Sequence, residues 1–162
     1  MASSLTALWA DDAYRFEYPC RISDVTHNDE TKETQMGLYA IVAVGGGAAV
    51  GAWLRWGLGT MLNPIFPTVP LGTLSANLLG GYLIGMVLGI LSHYESLPPE
   101  IRLLMTTGFL GGLTTFSTFS AETVTLIVRG QYGWAAAVVM FHVIGSLVMT
   151  GMGIMTMGLL RN

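Results

Sequence analysis

The sequence predicts an all-α membrane protein with four transmembrane helices, the third of which is broken at mid-membrane. Hydrophobic residues make up 52% of the chain and charged residues only 10%, whereas roughly a quarter of a soluble domain is charged. Four apolar segments are each long enough for the roughly 20 helical residues that cross a bilayer. The third contains a cluster of glycine, hydroxyl and phenylalanine residues that does not suit an uninterrupted membrane helix. These observations exclude a soluble globular domain.

Residues 1–35 differ from the rest of the chain in composition. They hold seven of the ten acidic residues and three of the seven basic residues, so the excess negative charge lies there. Such a polar segment buries too little surface to offset its ordering entropy, and we expect an acidic, disordered extension. Residues 36–162 then form the transmembrane domain. Met36 stands directly before the first apolar run, which suggests that the working protein begins there.

The composition also excludes several functions. The chain has no basic patch of the size that nucleic-acid binding requires. Cys20 is the single cysteine, so it permits no internal disulfide, and it lacks the Cys/His spacing of a metal site. No nucleophile, base and orienting group recur together, and the sequence has no phosphate-binding loop. An enzyme is therefore not expected.

The four apolar segments follow one another with short linkers. Each linker carries turn or breaker residues, such as Asn63 with Pro64 in the first and the Pro98-Pro99 pair in the second. Linkers this short predict a four-helix membrane bundle. The segments are 38–61, 71–91, 101–128 and 133–160.

Glycines recur at four-residue steps on the first two segments. Gly47 and Gly51 lie on the first, and Gly81, Gly85 and Gly89 lie on the second. Small residues at this spacing let helix backbones approach closely. We expect these faces to pack within the chain rather than to form a dimer face.

Four short helices cannot easily enclose a pore alone, so we expect oligomerisation. Lys32, Arg102 and Arg161 fall on one side of the membrane, and Arg129 and Arg55 fall on the other. So small a contrast does not fix one orientation by the positive-inside rule. Insertion in both orientations, and with it an antiparallel dimer, is compatible with the sequence.

Two polar residues interrupt the first two apolar segments. Arg55 is flanked by Trp53 and Trp56, which suit the membrane interface. It either snorkels to headgroups or attracts anions toward a vestibule. Asn77 begins the face that continues through the glycines of the second segment, so its amide either joins helices or donates to a ligand.

The third segment combines a helix break with aromatic and hydroxyl groups. Glycines 108, 111 and 112 weaken the helix, and a break exposes carbonyls for a small cation and N–H groups for an anion. Phe116 and Phe119 share a face, with Ser117 and Thr118 between them. Electropositive ring edges beside hydroxyl donors suit a small anion, although phenylalanines at this spacing are also common in packing.

Further polar residues follow in the membrane segments. Glu122 is an intramembrane carboxylate, for which a proton-carrying role and a hydrogen-bonded structural role are both open. On the fourth segment His142, Ser146 and Thr150 share one face at four-residue steps. They either continue a path of donors or satisfy one another between helices.

Four stretches together resemble the bacterial fluoride channels called Fluc or CrcB, and most closely their enterobacterial members. The similarity covers essentially residues 36–160, and the third-segment motif is highly specific. The stretches are GGGAAVGAWLRW from Gly45, GTLSANLLGGYLIG from Gly72, GFLGGLTTFSTFSAE from Gly108 and HVIGSL from His142.

The resemblance implies an antiparallel, dual-topology homodimer in the bacterial inner membrane, which passively exports fluoride that enters acidified cells as HF. It further implies a structural Na⁺ at the dimer centre, held by backbone carbonyls at the positions of Gly111 and Thr114. The role of His142 is not implied. The residues matching the fluoride pore are Arg55, Asn77, Phe116, Ser117, Thr118, Phe119, Glu122, Ser146 and Thr150.

Two other functions remain open at this point. A proton-coupled four-helix antiporter would place Glu122 at its centre and make Asn77 and the phenylalanines secondary. A scaffold subunit of a larger membrane complex would use every polar group to join helices. Fluoride efflux from liposomes distinguishes the three.

Overall fold

A computed structural model of the protein describes residues 27–66, 68–91 and 97–160. The chain divides into two compact units, Met1–Thr34 and Gln35–Asn162, and the features below belong to the second. The described residues are helical apart from short linkers. The helices are α1 His27–Leu62, α2 Leu71–Leu91, α3 Pro99–Leu103, a π-helical segment Leu104–Leu110, α4 Gly111–Leu113, α5 Phe116–Val128 and α6 Tyr132–Leu160.

Four helical segments are present, as the sequence predicts, and the all-α class is confirmed. Among the described residues three helical stretches are long and apolar enough to cross a membrane, namely Gly37–Ile65, Leu71–Leu91 and Tyr132–Leu160. The third segment is divided into α3, the π-helical segment, α4 and α5, so no single helix in it reaches that length. Residues 1–26 lie outside the described residues, so the disordered extension stays a prediction there, whereas residues 27–35, which were expected to belong to it, are helical and continue into α1.

The glycine steps pack against neighbouring helices of the same chain. A Cβ at Gly47 would lie 2.6 Å from the carbonyl oxygen of Leu104, and one at Gly81 would lie 2.9 Å from that of Ser146. Carbon cannot approach backbone oxygen this closely without displacing it, so only glycine allows these contacts. Gly85 meets the backbone of Thr150 on α6 in the same way. The glycines therefore fix α1 against the third segment and α2 against α6.

Two apolar clusters lie on either side of the divided third segment. One joins α2 to the π-helical segment and α4, and the other joins the first linker to α5 and α6. Burial of these side chains from lipid and water holds both halves of the segment in place. The members are Ala76, Val87, Leu110 and Leu113 in the first cluster, and Val69, Phe119, Leu126, Ala135 and Val138 in the second.

The linkers are closed by local hydrogen bonds. In the first, the Gly72 N–H donates to Asn63 Oδ1 at 2.8 Å, which ties the end of α1 to the start of α2. In the third, Gly130 adopts a positive φ of 72° and its N–H donates to the Ile127 carbonyl at 2.9 Å. Glycine tolerates this left-handed conformation at a helix end. The polypeptide can therefore reverse directly from α5 into α6.

Candidate functional site

The candidate site is built around the two residues that separate α4 from α5. Thr114 has φ −81° and ψ 155°, and Thr115 has φ −150° and ψ 116°, so both are extended rather than helical. Extended residues lose the backbone hydrogen bonds of a helix, which must be replaced because lipid supplies no partners. The Thr114 N–H keeps its helical bond to the Leu110 carbonyl at 3.0 Å, and the Thr114 hydroxyl donates to the same carbonyl at 2.9 Å, so the groups that need new partners belong to Thr115.

The side chain of Asn77 on α2 supplies the backbone partners of Thr115. The Thr115 N–H donates to Asn77 Oδ1 at 2.8 Å, and Asn77 Nδ2 donates to the Thr115 carbonyl at 3.1 Å. These two bonds assign the positions of the oxygen and the nitrogen in the Asn77 amide. Asn77 thus stabilises the extended residues and still has one N–H group uncommitted by this pair.

Thr115 also begins α5. Its hydroxyl oxygen accepts the Thr118 N–H at 3.2 Å, which is the bond expected of an N-cap threonine. The same hydroxyl donates to Thr118 Oγ1 at 2.9 Å. Thr115 is only 6% exposed. Its backbone and side chain are therefore both fixed inside the protein.

Arg55 reaches the extended residues from α1. Its Nη1 donates to the Thr114 carbonyl at 3.3 Å. The flanking Trp53 and Trp56 side chains are 70% and 72% exposed, whereas Arg55 is half-buried. The guanidinium lies against the protein interior, whereas the two indoles are largely exposed.

A cavity of about 500 Å³ lies between α2, the third segment and α6. We call it the phenylalanine cavity. Its walls carry an amide, several hydroxyls, aromatic rings and glycines, and none of its lining residues is an acid, a lysine or an arginine. Its lining residues are Asn77, Gly80, Gly81, Ile84, Thr106, Leu110, Gly111, Thr114, Thr115, Phe116, Phe119, His142, Val143, Ser146 and Thr150.

Three aromatic rings stand in sequence along this cavity. Phe116 and Phe119 pack edge to face with centroids 5.5 Å apart, and Phe119 lies over the His142 ring at 4.7 Å. Phe119 is 8% exposed, while Phe116 is 78% exposed. The two phenylalanines therefore differ in environment. One is held inside the chain, and the other projects from it.

The polar stripe on α6 contributes to the same cavity. The Thr150 hydroxyl donates to the Ser146 carbonyl at 2.9 Å. The Nδ1 atom of His142 lies 2.9 Å from the Val138 carbonyl, and this acceptor requires a proton on Nδ1. His142 is buried, and its Nε2 atom has no hydrogen-bond partner among the described residues. The stripe thus faces the cavity, but part of its donor capacity is used within α6.

A second cavity of about 500 Å³ lies between α1, the first linker, the start of α2 and the N-terminus of α5. We call it the arginine cavity. It combines one guanidinium with hydroxyl and amide groups. Its lining residues are Ala52, Arg55, Trp56, Gly59, Thr60, Asn63, Thr73, Thr115 and Thr118.

Glu122 is tied to α2 near this second cavity. Its Oε1 atom accepts the Thr73 hydroxyl at 2.6 Å, and its Oε2 atom is buried without a hydrogen-bond partner in the part of the chain described. Thr73 is buried and lines the arginine cavity. The carboxylate therefore has one hydrogen-bonded oxygen and one that is free to bind a proton, water or cation.

The residues singled out in the sequence divide between the two cavities. Asn77, Phe116, Phe119, Ser146 and Thr150 line the phenylalanine cavity, together with Gly111 and Thr114. Arg55 and Thr118 line the arginine cavity. Ser117 and Glu122 line neither of them, although the Ser117 hydroxyl lies 3.4 Å from that of Thr115.

From the sequence, Thr114 and Thr115 are expected to replace backbone partners that are lost at the break, but the N-cap role of Thr115 is not predicted, because nothing local distinguishes it from its hydroxyl neighbours. Thr73 is not identified by the sequence reasoning. Thr73 lies four residues before Asn77, so helical spacing places both on one face of α2. That spacing is the signal that identifies it.

The carbonyls of Gly111 and Thr114 can be tested for their fit to a sodium ion. In a continuous helix the Thr115 N–H would bond to the Gly111 carbonyl, but here it donates to Asn77. The Gly111 oxygen is thus released, and released carbonyls are suitable Na⁺ ligands. The Thr114 oxygen already accepts from Arg55. Two carbonyls fit a sodium ion in chemistry, and further ligands must come from outside them.

Comparison with known proteins identifies one family. Residues 42–154 match the family described as CrcB-like protein, Camphor Resistance (CrcB). The fluoride-specific ion channel FluC of Nitrosospira multiformis is 66% identical over 121 residues, which cover 75% of this chain and 94% of that protein. The protein of the same name from Cupriavidus necator is 56% identical over 125 residues, covering 77% and 99%. That of Pseudomonas putida is 59% identical over 119 residues, covering 74% and 94%.

Proposed function

This chain belongs to the CrcB family, and from that membership and the geometry of the two cavities we propose that it is a fluoride-selective channel. It is a multi-pass membrane protein, and the expectation that it is not an enzyme is confirmed at the level of the family. In the proposed function fluoride leaves the cytoplasm passively, which relieves its toxicity. The membrane is the inner membrane of a bacterium.

The observation that carries this proposal is the lining of the phenylalanine cavity. Fluoride is a small, strongly hydrated anion, so it enters a protein only where hydrogen-bond donors replace water. The amide and the aromatic ring edges can supply such donors without a fixed positive charge, and so can the hydroxyls when they rotate their protons away from their present protein acceptors. A full charge would bind the anion tightly and slow its exit. The lining therefore suits conduction of the anion better than its tight binding.

The orientation of the Asn77 amide supports an anion as the ligand. Thr115 occupies Oδ1 and one N–H of this amide. The remaining group is an N–H donor, and Asn77 lines the phenylalanine cavity. This uncommitted donor supports an anion as the ligand.

An antiparallel homodimer of dual topology is the proposed working unit. The nearly balanced basic residues on the two sides allow both orientations. Phe116 lines the cavity yet is 78% exposed in a single chain, so its ring is available for contact with a second copy.

Two copies also bring two pairs of Gly111 and Thr114 carbonyls to the proposed central Na⁺. Replacing sodium by N-methylglucamine should then lower thermal stability, and an unchanged stability counts against this ion.

The proposed function is tested by fluoride efflux from liposomes that contain the purified protein. We expect efflux down a fluoride gradient without any proton gradient, and we expect chloride to pass far more slowly. Efflux that depends on a proton gradient would indicate the proton-coupled antiporter. The absence of efflux from folded protein would indicate a scaffold subunit.

A further inference from the structure

Thr115 is the one described residue that lines both cavities. It forms part of the phenylalanine cavity with Asn77 and Phe119, and part of the arginine cavity with Arg55 and Thr118. Each cavity measures about 500 Å³, large enough for several water molecules. Thr115 thus lies in the wall that the two polar spaces share.

The position of Thr115 in that wall is fixed by its backbone. Asn77 holds both its N–H and its carbonyl. The residue is also the N-cap of α5, and it is buried. An extended backbone held from a neighbouring helix leaves little freedom to move. Any ion that crosses the wall must therefore pass the side chain where it stands.

The hydroxyl of Thr115 can still redirect its proton. In the present structure it donates to Thr118 Oγ1 at 2.9 Å, and this leaves the Thr118 proton for the arginine cavity. A neutral hydrogen bond of this kind contributes only about 1 kcal/mol net, so rotation of the hydroxyl toward an anion is inexpensive. The Thr115 proton then faces the phenylalanine cavity. The pair Thr115–Thr118 can offer a donor on either side of the wall.

We propose that Thr115 is the constriction through which fluoride passes between the arginine cavity and the phenylalanine cavity, with its hydroxyl as the donor at the crossing. This inference rests on the proposed channel function and adds a residue to it. The arginine cavity gathers the anion by its positive charge. Thr115 and Thr118 then transfer it to the uncharged donors beyond.

The first experiment compares three variants for fluoride efflux from liposomes. Thr115→Val keeps the shape and removes the donor, and loss of a hydrogen bond to a charged ion predicts a fall in efflux of about 10- to 100-fold. Thr115→Ser retains the hydroxyl and the N-cap, so its efflux should exceed that of the valine variant by a similar factor. Thr125→Val is the matched control. Thr125 lies on the same helix, is exposed, and bonds only to its own helix through the Ala121 carbonyl.

A second measurement separates a role in the path from a role in folding. In a Cys20→Ser background, Thr115→Cys and Thr125→Cys each leave one thiol in the chain. Modification of Cys at position 115 by a small methanethiosulfonate reagent should block efflux, because the added group fills the constriction. Modification at position 125 should leave efflux unchanged.

The results can overturn this inference without overturning the channel function. If the unchanged protein conducts fluoride and Thr115→Val conducts equally well, Thr115 is not the crossing. The same conclusion follows if Thr115→Ser fails as badly as Thr115→Val, or if modification at position 115 does not reduce efflux. If the unchanged protein conducts no fluoride, the proposed function itself fails.

Discussion

At the level of single residues, Asn77 connects the second helix to the extended residues of the third segment. Its amide bonds to both backbone groups of Thr115 and keeps one N–H uncommitted by them, and Asn77 lines the phenylalanine cavity. We therefore expect Asn77 to serve both the shape of the third segment and the binding of the proposed ligand. The sequence placed Asn77 on the correct face of α2. Its bonds to Thr115 could not be predicted, because they join residues 38 positions apart.

Asn77→Asp is expected to reduce fluoride efflux by about 10- to 100-fold, since the Thr115 carbonyl loses its donor and the cavity gains an acceptor. Efflux from liposomes measures the effect, and gel filtration reports whether the variant remains folded. Gln131→Glu is the control, because it makes the same change from amide to carboxylate at an exposed residue that lines neither cavity. Equal efflux from Asn77→Asp and the unchanged protein would contradict this role.

Glu122→Gln is expected to reduce efflux by less than about 10-fold, because glutamine still offers an oxygen to the Thr73 hydroxyl. Efflux should remain independent of a proton gradient. Thr73→Val tests the same bond from the other side, because it leaves the carboxylate without this donor. Efflux that depends on a proton gradient in the unchanged protein and is lost in Glu122→Gln would instead favour the proton-coupled antiporter.

At the level of elements, helix contacts depend on glycines that no other residue can replace. The periodic glycines of α1 and α2 were visible in the sequence, and they pack within the chain as predicted. The π-helical segment Leu104–Leu110 was not predicted. It depends on how residues from several turns pack together, and no single residue type indicates it. The existence and the length of α2 and α6 can both be predicted from the length of the apolar runs. A helix that crosses the lipid must be apolar over its whole span, so composition alone identifies it.

Gly85→Ala is expected to lower the stability of the protein by about 1 to 3 kcal/mol, because the added methyl group meets the Thr150 backbone on α6. Thermal unfolding in detergent measures the change. Gly133→Ala serves as the control, since a Cβ there meets nothing within 4 Å. A Gly85→Ala variant as stable as the control would show that α2 and α6 are less closely packed than described.

At the level of the whole molecule, one chain leaves the proposed pore and the proposed sodium site incomplete. Phe116 is 78% exposed, and a sodium ion at Gly111 and Thr114 would need ligands beyond their two carbonyls. Composition predicts neither feature, because in the proposed dimer a second copy would complete both. Family resemblance supplied the dimer as an expectation, and the weak charge bias is the physical reason that opposite orientations can coexist.

Dual topology predicts that about half of the chains present each side to the outside of a cell. In a Cys20→Ser background, Gln131→Cys places one thiol in the third linker, and an impermeant maleimide applied to intact cells should label about half of it. Labelling after detergent treatment gives the total amount of thiol that can react, and it serves as the control. Labelling near zero or near completion would mean that the chain inserts in one orientation.

The bonds between Asn77 and Thr115 also have a consequence for biogenesis. An extended backbone in lipid leaves polar groups unsatisfied at a cost of several kcal/mol, so the third segment is unstable in the bilayer by itself. Its partner Asn77 lies earlier in the chain and is synthesised first. The second helix is thus already available when Thr115 leaves the ribosome. The order of elements along the chain allows the membrane insertion machinery to complete the third segment without waiting for a later helix.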